Sequence, residues 1–279
     1  MRHKIIVIVG PTSSGKTAYA IELAKKIGGE VISADSRQVY KGLDIGTGKV
    51  TKKEMQGVPH HMLDVASPKK IFTAHDFVTM GRKAIDDITA RDKLPIICGG
   101  TGFYIDALLG RIALPEVPIN TELRAKLENR SAPDLASILQ GLDSTRARTI
   151  DRKNPVRLIR AIEIATALGR VPKAENVPSP YDVEWIGLKP SDDILKKNIH
   201  SRLHARIKNG MVAEAERMHK SGLTYKRMQA LGLEYRFLAR YLQKKISKQE
   251  MLDELEKEIW QYARRQMTYW RRNKEIKWQ

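Results

Sequence analysis

Apolar residues fall along this chain in two patterns, short unbroken runs and helical stripes, and the two alternate over the first hundred residues. Ile5 to Val9 is an unbroken aliphatic run, the mark of a strand buried on both faces of a parallel sheet. A helix is predicted from about Thr17 to Ile27 and ends at Gly28-Gly29, because glycine readily adopts the left-handed backbone that closes a helix. Val31 to Ser33 predicts a second, short strand, with Asp35 just past its C-terminal end. Within Phe77 to Ile88 the residues Met80, Ala84, Ile85 and Ile88 recur with helical period. Leu94 to Cys98 predicts a third buried strand, from which Gly99-Gly100-Thr101-Gly102 leads into a helix near Phe103 to Leu109. Strands alternating with helices imply a parallel sheet that gathers its ligands at the C-terminal strand ends.

The pattern changes near Pro115 to Pro118. From there to about Pro180 the periods are helical and no run predicts a strand. Asn154-Pro155 predicts a helix start, with Asn as N-cap and Pro at the first helical position. Gly169 predicts its stop, and Pro172, Pro178 and Pro180 then break the chain. Trp185 to Leu188 predicts a last strand returning to the sheet, and everything after Asp192 reads as helix. Ser247-Lys248-Gln249-Glu250 is a capping-box pattern that opens the final helix. The expected fold class is therefore α/β. Residues 1–116 and 181–279 form a parallel-sheet core with a helical C-terminal region, and residues 117–180 form a mostly helical insertion.

Composition narrows the partners. The formal net charge is +18, from 50 Lys and Arg against 32 Asp and Glu. Such an excess points to a polyanion, either nucleic acid or an anionic membrane surface, and a basic surface kept for solubility is the plain alternative. The single cysteine, Cys98, lies in an apolar run and reads as a small buried hydrophobe. One cysteine permits no internal disulfide, which fits a cytoplasmic location. The apolar N-terminal stretch is too short for a signal peptide, since Gly10-Pro11 interrupts it. No stretch approaches the ~18 apolar residues of a membrane span.

Gly10-Pro11-Thr12-Ser13-Ser14-Gly15-Lys16-Thr17 matches G-x-x-x-x-G-K-[ST] and stands after a strand and before a helix, the context the motif requires. Its backbone N–H groups form an anion nest and the helix N-terminus adds partial positive charge. Lys16 is expected to reach the terminal phosphates, and the Thr17 hydroxyl to ligate Mg²⁺. The core is thus expected to be P-loop NTPase-like. A kinase, an NTPase and a transferase that releases pyrophosphate all need this cradle.

Other residues gather at the same strand ends. Asp35, in Asp35-Ser36-Arg37-Gln38-Val39-Tyr40, faces the crevice as a general base, a metal-holding carboxylate or a helix N-cap. Thr101 brings a hydroxyl to the crevice. Pro59-His60-His61-Met62-Leu63-Asp64 invites a metal reading, but adjacent histidines suit one metal poorly, so a structural or substrate-lining role is expected. Arg157 and Arg160 share one face of the helix that Asn154 caps, opposite Leu158, Ile159, Ile162 and Ala165. Near the C-terminus Tyr262, Arg264, Arg265, Gln266, Tyr269, Trp270, Arg271 and Arg272 interleave cations with rings. That mixture can meet phosphates and stack on unpaired bases, although some of the rings are expected in the core.

The motifs in order, Gly10 to Thr17, Ile32 to Tyr40, Asp44-Ile45-Gly46-Thr47, Val58-Pro59-His60-His61, Gly99 to Gly102 and Arg264-Arg265-Gln266, resemble the bacterial tRNA dimethylallyltransferases of the IPP transferase family, from about Ile5 to Trp278. The resemblance implies transfer of a dimethylallyl group from dimethylallyl diphosphate to N6 of the adenosine at position 37 of tRNA, with Mg²⁺. It assigns Asp35 as general base and Thr101 as catalytic threonine. It assigns Gly10, Pro11, Thr12, Ser13, Ser14, Gly15, Lys16 and Thr17 to the diphosphate, with Arg217 at the family's diphosphate arginine. By the same resemblance the tRNA meets Asp35, Ser36, Arg37, Gln38, Thr101, Arg124, Val156, Arg157, Leu158, Ile159 and Arg160. It also meets Gln229 to Glu234 and, near the C-terminus, Arg264, Arg265, Gln266 and Arg271. Gln229 to Glu234 departs most from the family pattern. The zinc finger that follows in many eukaryotic members is absent, implying a bacterial type, and a cytoplasmic monomer that binds the anticodon stem-loop and no membrane is expected. A nucleotide or small-molecule kinase, an adenylate isopentenyltransferase and a non-catalytic RNA-binding protein remain as alternatives.

Overall fold

The computed structural model describes residues 3–172 and 179–279. The chain runs β1 (Lys4–Val9), α1 (Lys16–Ile27), β2 (Gly29–Ser33), α2 (Lys52–Met55), β3 (His60–His61), α3 (Ala74–Thr89), β4 (Leu94–Cys98) and α4 (Gly102–Leu108). Four helices follow, α5 (Thr121–Leu127), α6 (Ala132–Leu142), α7 (Ser144–Thr149) and α8 (Pro155–Leu168). Then come β5 (Asp182–Gly187), α9 (Asp192–Lys208), α10 (Met211–Lys220), α11 (Tyr225–Leu231), α12 (Leu233–Leu242), α13 (Lys248–Trp270) and β6 (Lys277–Trp278). Two compact units result, Met1–Arg111 with Pro178–Gln279, and Ile112–Val177. The insertion thus begins about five residues before the position read from the prolines. The break read at Pro178 lies outside the described residues.

The first unit is built on a six-stranded sheet in the order β3-β2-β4-β1-β5-β6, with every pairing parallel. β1 is central, pairing Ile6 with Ile96 of β4 and Val7 with Trp185 of β5. Its residues Ile5, Val7, Ile8 and Val9 are fully buried, which is why the run is apolar without alternation. From β1 the chain crosses to β2 on one side, and later to β5 on the other. The loops after β1, β2 and β4 therefore open at one switch point, where α/β sheets bind ligands.

Two strands went unread in the sequence, and each contains only two residues. β3 lies at the sheet edge and consists of two half-buried histidines, so no apolar run marks it. β6 contradicts the expectation that everything beyond Asp192 is helical. It pairs Gly187 with Trp278, and a Cβ at Gly187 would lie 2.4 Å from the Trp278 ring. Helices α9 to α13 bury Leu203, Met211, Leu238, Met251, Leu255 and Ala263 in one cluster. Trp270 is also in the core, with its ring centroid 5.8 Å from that of Trp185. No helix among the described residues is long and apolar enough to cross a membrane.

The second unit is all helical among its described residues. Asn154 caps α8 by accepting from Arg157 N at 3.2 Å, Pro155 begins it, and Gly169 closes it at φ 77. Its core joins Leu127, Leu135, Leu139, Leu158, Ala161 and Ile162. A buried carboxylate, Glu163, lies beside that core. It accepts from Arg124 Nε and Nη2, both at 2.7 Å, from Arg160 Nη1 at 3.2 Å and from Asn120 N at 3.0 Å. Burial pushes this carboxyl up, but those hydrogen bonds outweigh it and hold its pKa below the usual value.

Candidate active site

The phosphate loop takes its shape from backbone that only certain residues adopt. Gly10 stands at φ 149, and a Cβ there would lie 2.3 Å from Leu188 O. Ser13 at φ 63 and Gly15 at φ 89 turn the following N–H groups. α1 begins at Lys16 with no side-chain cap on its N-terminus, so its first-turn N–H groups point to whatever anion enters the loop. Lys16 Nζ folds back onto Pro11 O and onto Ser14 Oγ at 3.4 Å. Burial lowers its pKa to about 8, Arg202 lowers it further, and Cys98 and Asp35 oppose the shift. Cys98 is buried, and burial pushes its thiol up to about 11, so it is the inert hydrophobe that was expected.

Asp35 follows β2. Its Oδ1 accepts from Arg37 N at 2.8 Å and Gln38 N at 3.4 Å, which shapes the turn through Ser36 and Gln38. The helix N-cap reading is not borne out, because no helix begins here; this oxygen caps a turn instead, at the strand end that borders the crevice. Burial raises its pKa, and the two backbone hydrogen bonds pull it back in part. Gln38 is held by Ser33 Oγ at 3.3 Å and by Gly48 O at 3.3 Å. Thr101 sits across from Asp35, its Oγ1 accepting from Ser36 N at 3.1 Å. Burial pushes the Tyr262 phenol above its usual range, and the negative charge of Asp35 adds to that.

The glycines around Thr101 are there for close approach. A Cβ at Gly99 would lie 2.2 Å from Ala34 O, at Gly100 2.0 Å from Gln266 Nε2, and at Gly102 2.2 Å from the Tyr269 ring. α13 therefore lies directly against this loop. Gln266 is buried, accepts from Thr12 N at 2.7 Å and donates to Gly100 O at 3.0 Å. It joins the phosphate loop to the Gly-Gly-Thr-Gly loop, and both ends of its amide are engaged. That corrects the tRNA-contact reading of Gln266. Tyr269 bonds Asp106 through its hydroxyl, and Arg272 lies 3.7 Å above its ring.

The arginine at the phosphate loop is Arg202, not Arg217. Arg202 on α9 donates to Ser13 Oγ at 3.4 Å, and Asn198, one turn earlier, donates to Ser13 O at 3.2 Å. No carboxylate among the described residues lies within ion-pairing distance of Arg202. Arg202 keeps much of its surface exposed; desolvation of its inner end lowers its pKa and neighbouring Arg206 lowers it further, so the guanidinium gains from any anion that arrives. Arg217 is exposed on α10, and that helix instead directs Glu214 inward. The buried Glu214 carboxylate accepts from Asp44 N at 2.9 Å, Ile45 N at 2.8 Å, Gly46 N at 2.8 Å and the Tyr235 hydroxyl at 2.6 Å, fixing the Asp44-to-Thr47 motif. Glu234 pairs with Arg206 at 2.9 Å, and a Cβ at Gly232 would lie 3.1 Å from Arg37 Nη2. The segment Gln229 to Glu234 thus borders the Arg37 side of the crevice.

The remaining expected contacts divide by exposure. Arg264, Arg265 and Arg271 are exposed on α13 and just after it. Arg265 pairs loosely with Glu258 at 3.9 Å and lies 6.0 Å from the Tyr262 ring centroid. In the second unit Val156 and Arg157 are exposed, but Leu158 is fully buried and Ile159 half-buried. Arg124 and Arg160 are bound to Glu163. Their side chains hold the insertion together, and Leu158, fully buried, offers no surface for the direct contact expected of it. His61 bonds Glu30 at 2.7 Å, Arg91 bonds the same carboxylate, and β3 is fastened to the sheet through them, the structural role expected of the histidine pair. Arg202 and Glu214 were missed because each reads locally as part of a solvated charged face. Only the four-residue spacing of Asn198, Arg202 and Arg206 marks a common polar stripe on α9.

The family model described as IPP transferase matches residues 38–273. A "tRNA dimethylallyltransferase 2" of Treponema denticola is 45% identical over 97% of this chain and 92% of its own length. A "tRNA dimethylallyltransferase" of Anoxybacillus flavithermus is 38% identical over 100% of this chain and 90% of its own. The crystal structure of a full-length tRNA isopentenylpyrophosphate transferase from Bacillus halodurans superposes with a TM-score of 0.75 at 34% identity, covering 100% of this chain and 90% of that one. A eukaryotic dimethylallyltransferase, described as acting on tRNA, superposes with a TM-score of 0.82 at 25% identity, over 96% of this chain and 70% of its own.

Proposed function

This chain belongs to the IPP transferase family, and from that premise we propose that it transfers a dimethylallyl group from dimethylallyl diphosphate to N6 of adenosine 37 in tRNA. The carrying observation is that Lys16 and Asp35 follow β1 and β2, the two strands that flank β4, while the loop after β4 presents Thr101 to the Asp35 turn and Arg202 reaches Ser13 of the phosphate loop. A cradle for a leaving diphosphate and a base for an incoming amine are thereby side by side.

In the reaction the allylic C1–O bond breaks and an N6–C1 bond forms. The electron pair of the broken bond leaves with diphosphate, and the N6 proton passes to the Asp35 carboxylate. The adenine amine is a weak nucleophile because its lone pair is delocalised into the ring, so removal of its proton must accompany attack. Burial, which makes Asp35 a stronger base, favours this. Thr101, fixed by Ser36 N, is placed to orient the same amine. Lys16, Arg202 and the loop N–H groups meet the charge that develops on diphosphate. The oxygens offered here, the exposed Thr17 hydroxyl and the Asp35 carboxylate, fit a hard cation such as Mg²⁺, whereas the only thiol, Cys98, stays protonated. Thr17 would hold that ion, which supplies further neutralisation of the leaving group.

The polyanion expected from the +18 charge is, on this reading, the anticodon stem-loop. Arg264, Arg265 and Arg271 are its exposed partners on the core, and Arg157 and Val156 on the insertion. The target base lies in a single-stranded loop, which lowers the cost of turning it into the crevice. A monomer acting in the cytoplasm completes the proposal. The test offers labelled dimethylallyl diphosphate to the protein with unmodified tRNA, AMP and ATP together. Label in tRNA supports the reading, and label in AMP or ATP overturns it.

A further inference from the structure

A cluster of ligating side chains lies outside the crevice, on the outer side of the contact between α9 and α13. His200 and His204 stand four residues apart on α9 and so on one face, with ring centroids 4.2 Å apart. Glu256 reaches them from α13, with its Oε2 3.1 Å from His200 Nδ1. One ligand atom from each of the three lies within 4.8 Å of the others. A tetrahedral zinc-type ion with ~2.0 to 2.1 Å bonds needs ligand atoms roughly 3.3 to 3.4 Å apart. The widest pair must therefore close by at most about 1.5 Å, a displacement that rotation of the side chains supplies. Two imidazoles and one carboxylate suit zinc far better than Mg²⁺ or Ca²⁺.

We propose that His200, His204 and Glu256 bind a divalent transition metal of the zinc type, with water completing the shell, and that this metal staples α9 to α13. The location gives the staple its consequence. α9 also carries Asn198 and Arg202, which hold Ser13 of the phosphate loop. α13 also carries Gln266, which holds Thr12. On α9 the stripe of His200 and His204 lies apart from that of Asn198 and Arg202, with buried Leu195, Ile199 and Leu203 between them. Lys196 above the Trp260 ring, at 5.2 Å, continues the same α9–α13 seam one turn away. The metal is thus remote from the chemistry and acts on the two helices that support the loop.

The test uses the untagged full-length chain, freed of metal by chelation and titrated with zinc chloride in a calorimeter. One saturable zinc per chain is expected. His204→Ala and Glu256→Gln should each weaken binding by at least about tenfold, while His75→Ala, a histidine exposed elsewhere on α3, should leave it unchanged. At a hundredfold excess over the dissociation constant the melting temperature should rise by about 5 to 10 °C. Backbone amide exchange should slow in Asp192–Lys208 and Lys248–Trp270. Absence of saturable binding, unchanged affinity in both site variants, or binding without protection of those two helices would each overturn the proposal.

Discussion

Gln266 Oε1 accepts a hydrogen bond from Thr12 N at 2.7 Å, across 254 residues of sequence. The other end of the same amide holds Gly100 O at 3.0 Å. The phosphate loop and the loop that presents Thr101 therefore share one buried side chain from the C-terminal helix. Gln266→Ala leaves the half-buried Thr12 N–H and Gly100 carbonyl without this partner, at a cost of up to about 1 to 3 kcal/mol for each group that stays unsatisfied. Pyrophosphate affinity and the urea midpoint should both fall. tRNA affinity should change little, because both ends of this amide are engaged within the protein; a loss of tRNA affinity with pyrophosphate affinity and stability unchanged would return Gln266 to the RNA surface.

Arg202 and Arg217 separate cleanly by experiment. Arg202→Ala should weaken pyrophosphate binding by roughly 10- to 150-fold, the worth of a charge-assisted hydrogen bond of about 1.5 to 3 kcal/mol. Arg217→Ala, on the exposed face of α10, should change it by less than about twofold. Equal losses in the two variants would place the diphosphate elsewhere.

Asp35→Asn should bind pyrophosphate almost as well as wild type and slow transfer by roughly 10²-fold or more. The sign of the pH dependence follows from burial. A base whose pKa is raised loses activity, as pH falls, at a higher pH than an ordinary carboxylate would. The acid limb of kcat/KM should therefore lie above the usual aspartate range and disappear in the variant. An acid limb retained in Asp35→Asn assigns it to another group.

Much of this was legible in the sequence because the signals are local. The aliphatic runs of β1 and β4 state their burial directly. Asn154-Pro155, Ser247 with Glu250, and Gly169 mark helix ends by capping chemistry that involves only near neighbours. Gly10 to Thr17 and Asp35 were readable for the same reason. What escaped depends on long-range partners. β6 exists because Trp278 packs over Gly187, and two residues carry no period. Arg202 and Arg124 look alike in sequence, yet one faces the phosphate loop with no carboxylate of the described residues within ion-pairing distance and the other is neutralised by Glu163, 39 residues away. Glu214 reads as one more surface acid on α10 until the chain brings Asp44, Ile45, Gly46 and Tyr235 around it.

The Arg124–Glu163 pair gives a stability prediction. Its carboxyl is held below the usual pKa, so the pair stabilises the fold above the unfolded carboxylate value and is lost as pH falls through the folded one. Arg124→Ala leaves a buried carboxylate short of its partner and should cost about 3 to 5 kcal/mol, measured by denaturant unfolding at neutral pH. Arg265→Ala should instead spare stability and reduce the slope of log tRNA affinity against log salt by roughly 0.7 to 0.9. The reverse pattern would exchange the roles of the two arginines.

The central claim is tested most directly by locating the product. Unmodified tRNA is incubated with the protein, Mg²⁺ and dimethylallyl diphosphate, then digested to nucleosides and to fragments for mass analysis. The account predicts adenosine carrying one dimethylallyl group on N6, confined to position 37, with one diphosphate released for each group transferred. A dimethylallyl group on another nucleotide, or diphosphate released with the tRNA unchanged, would contradict it.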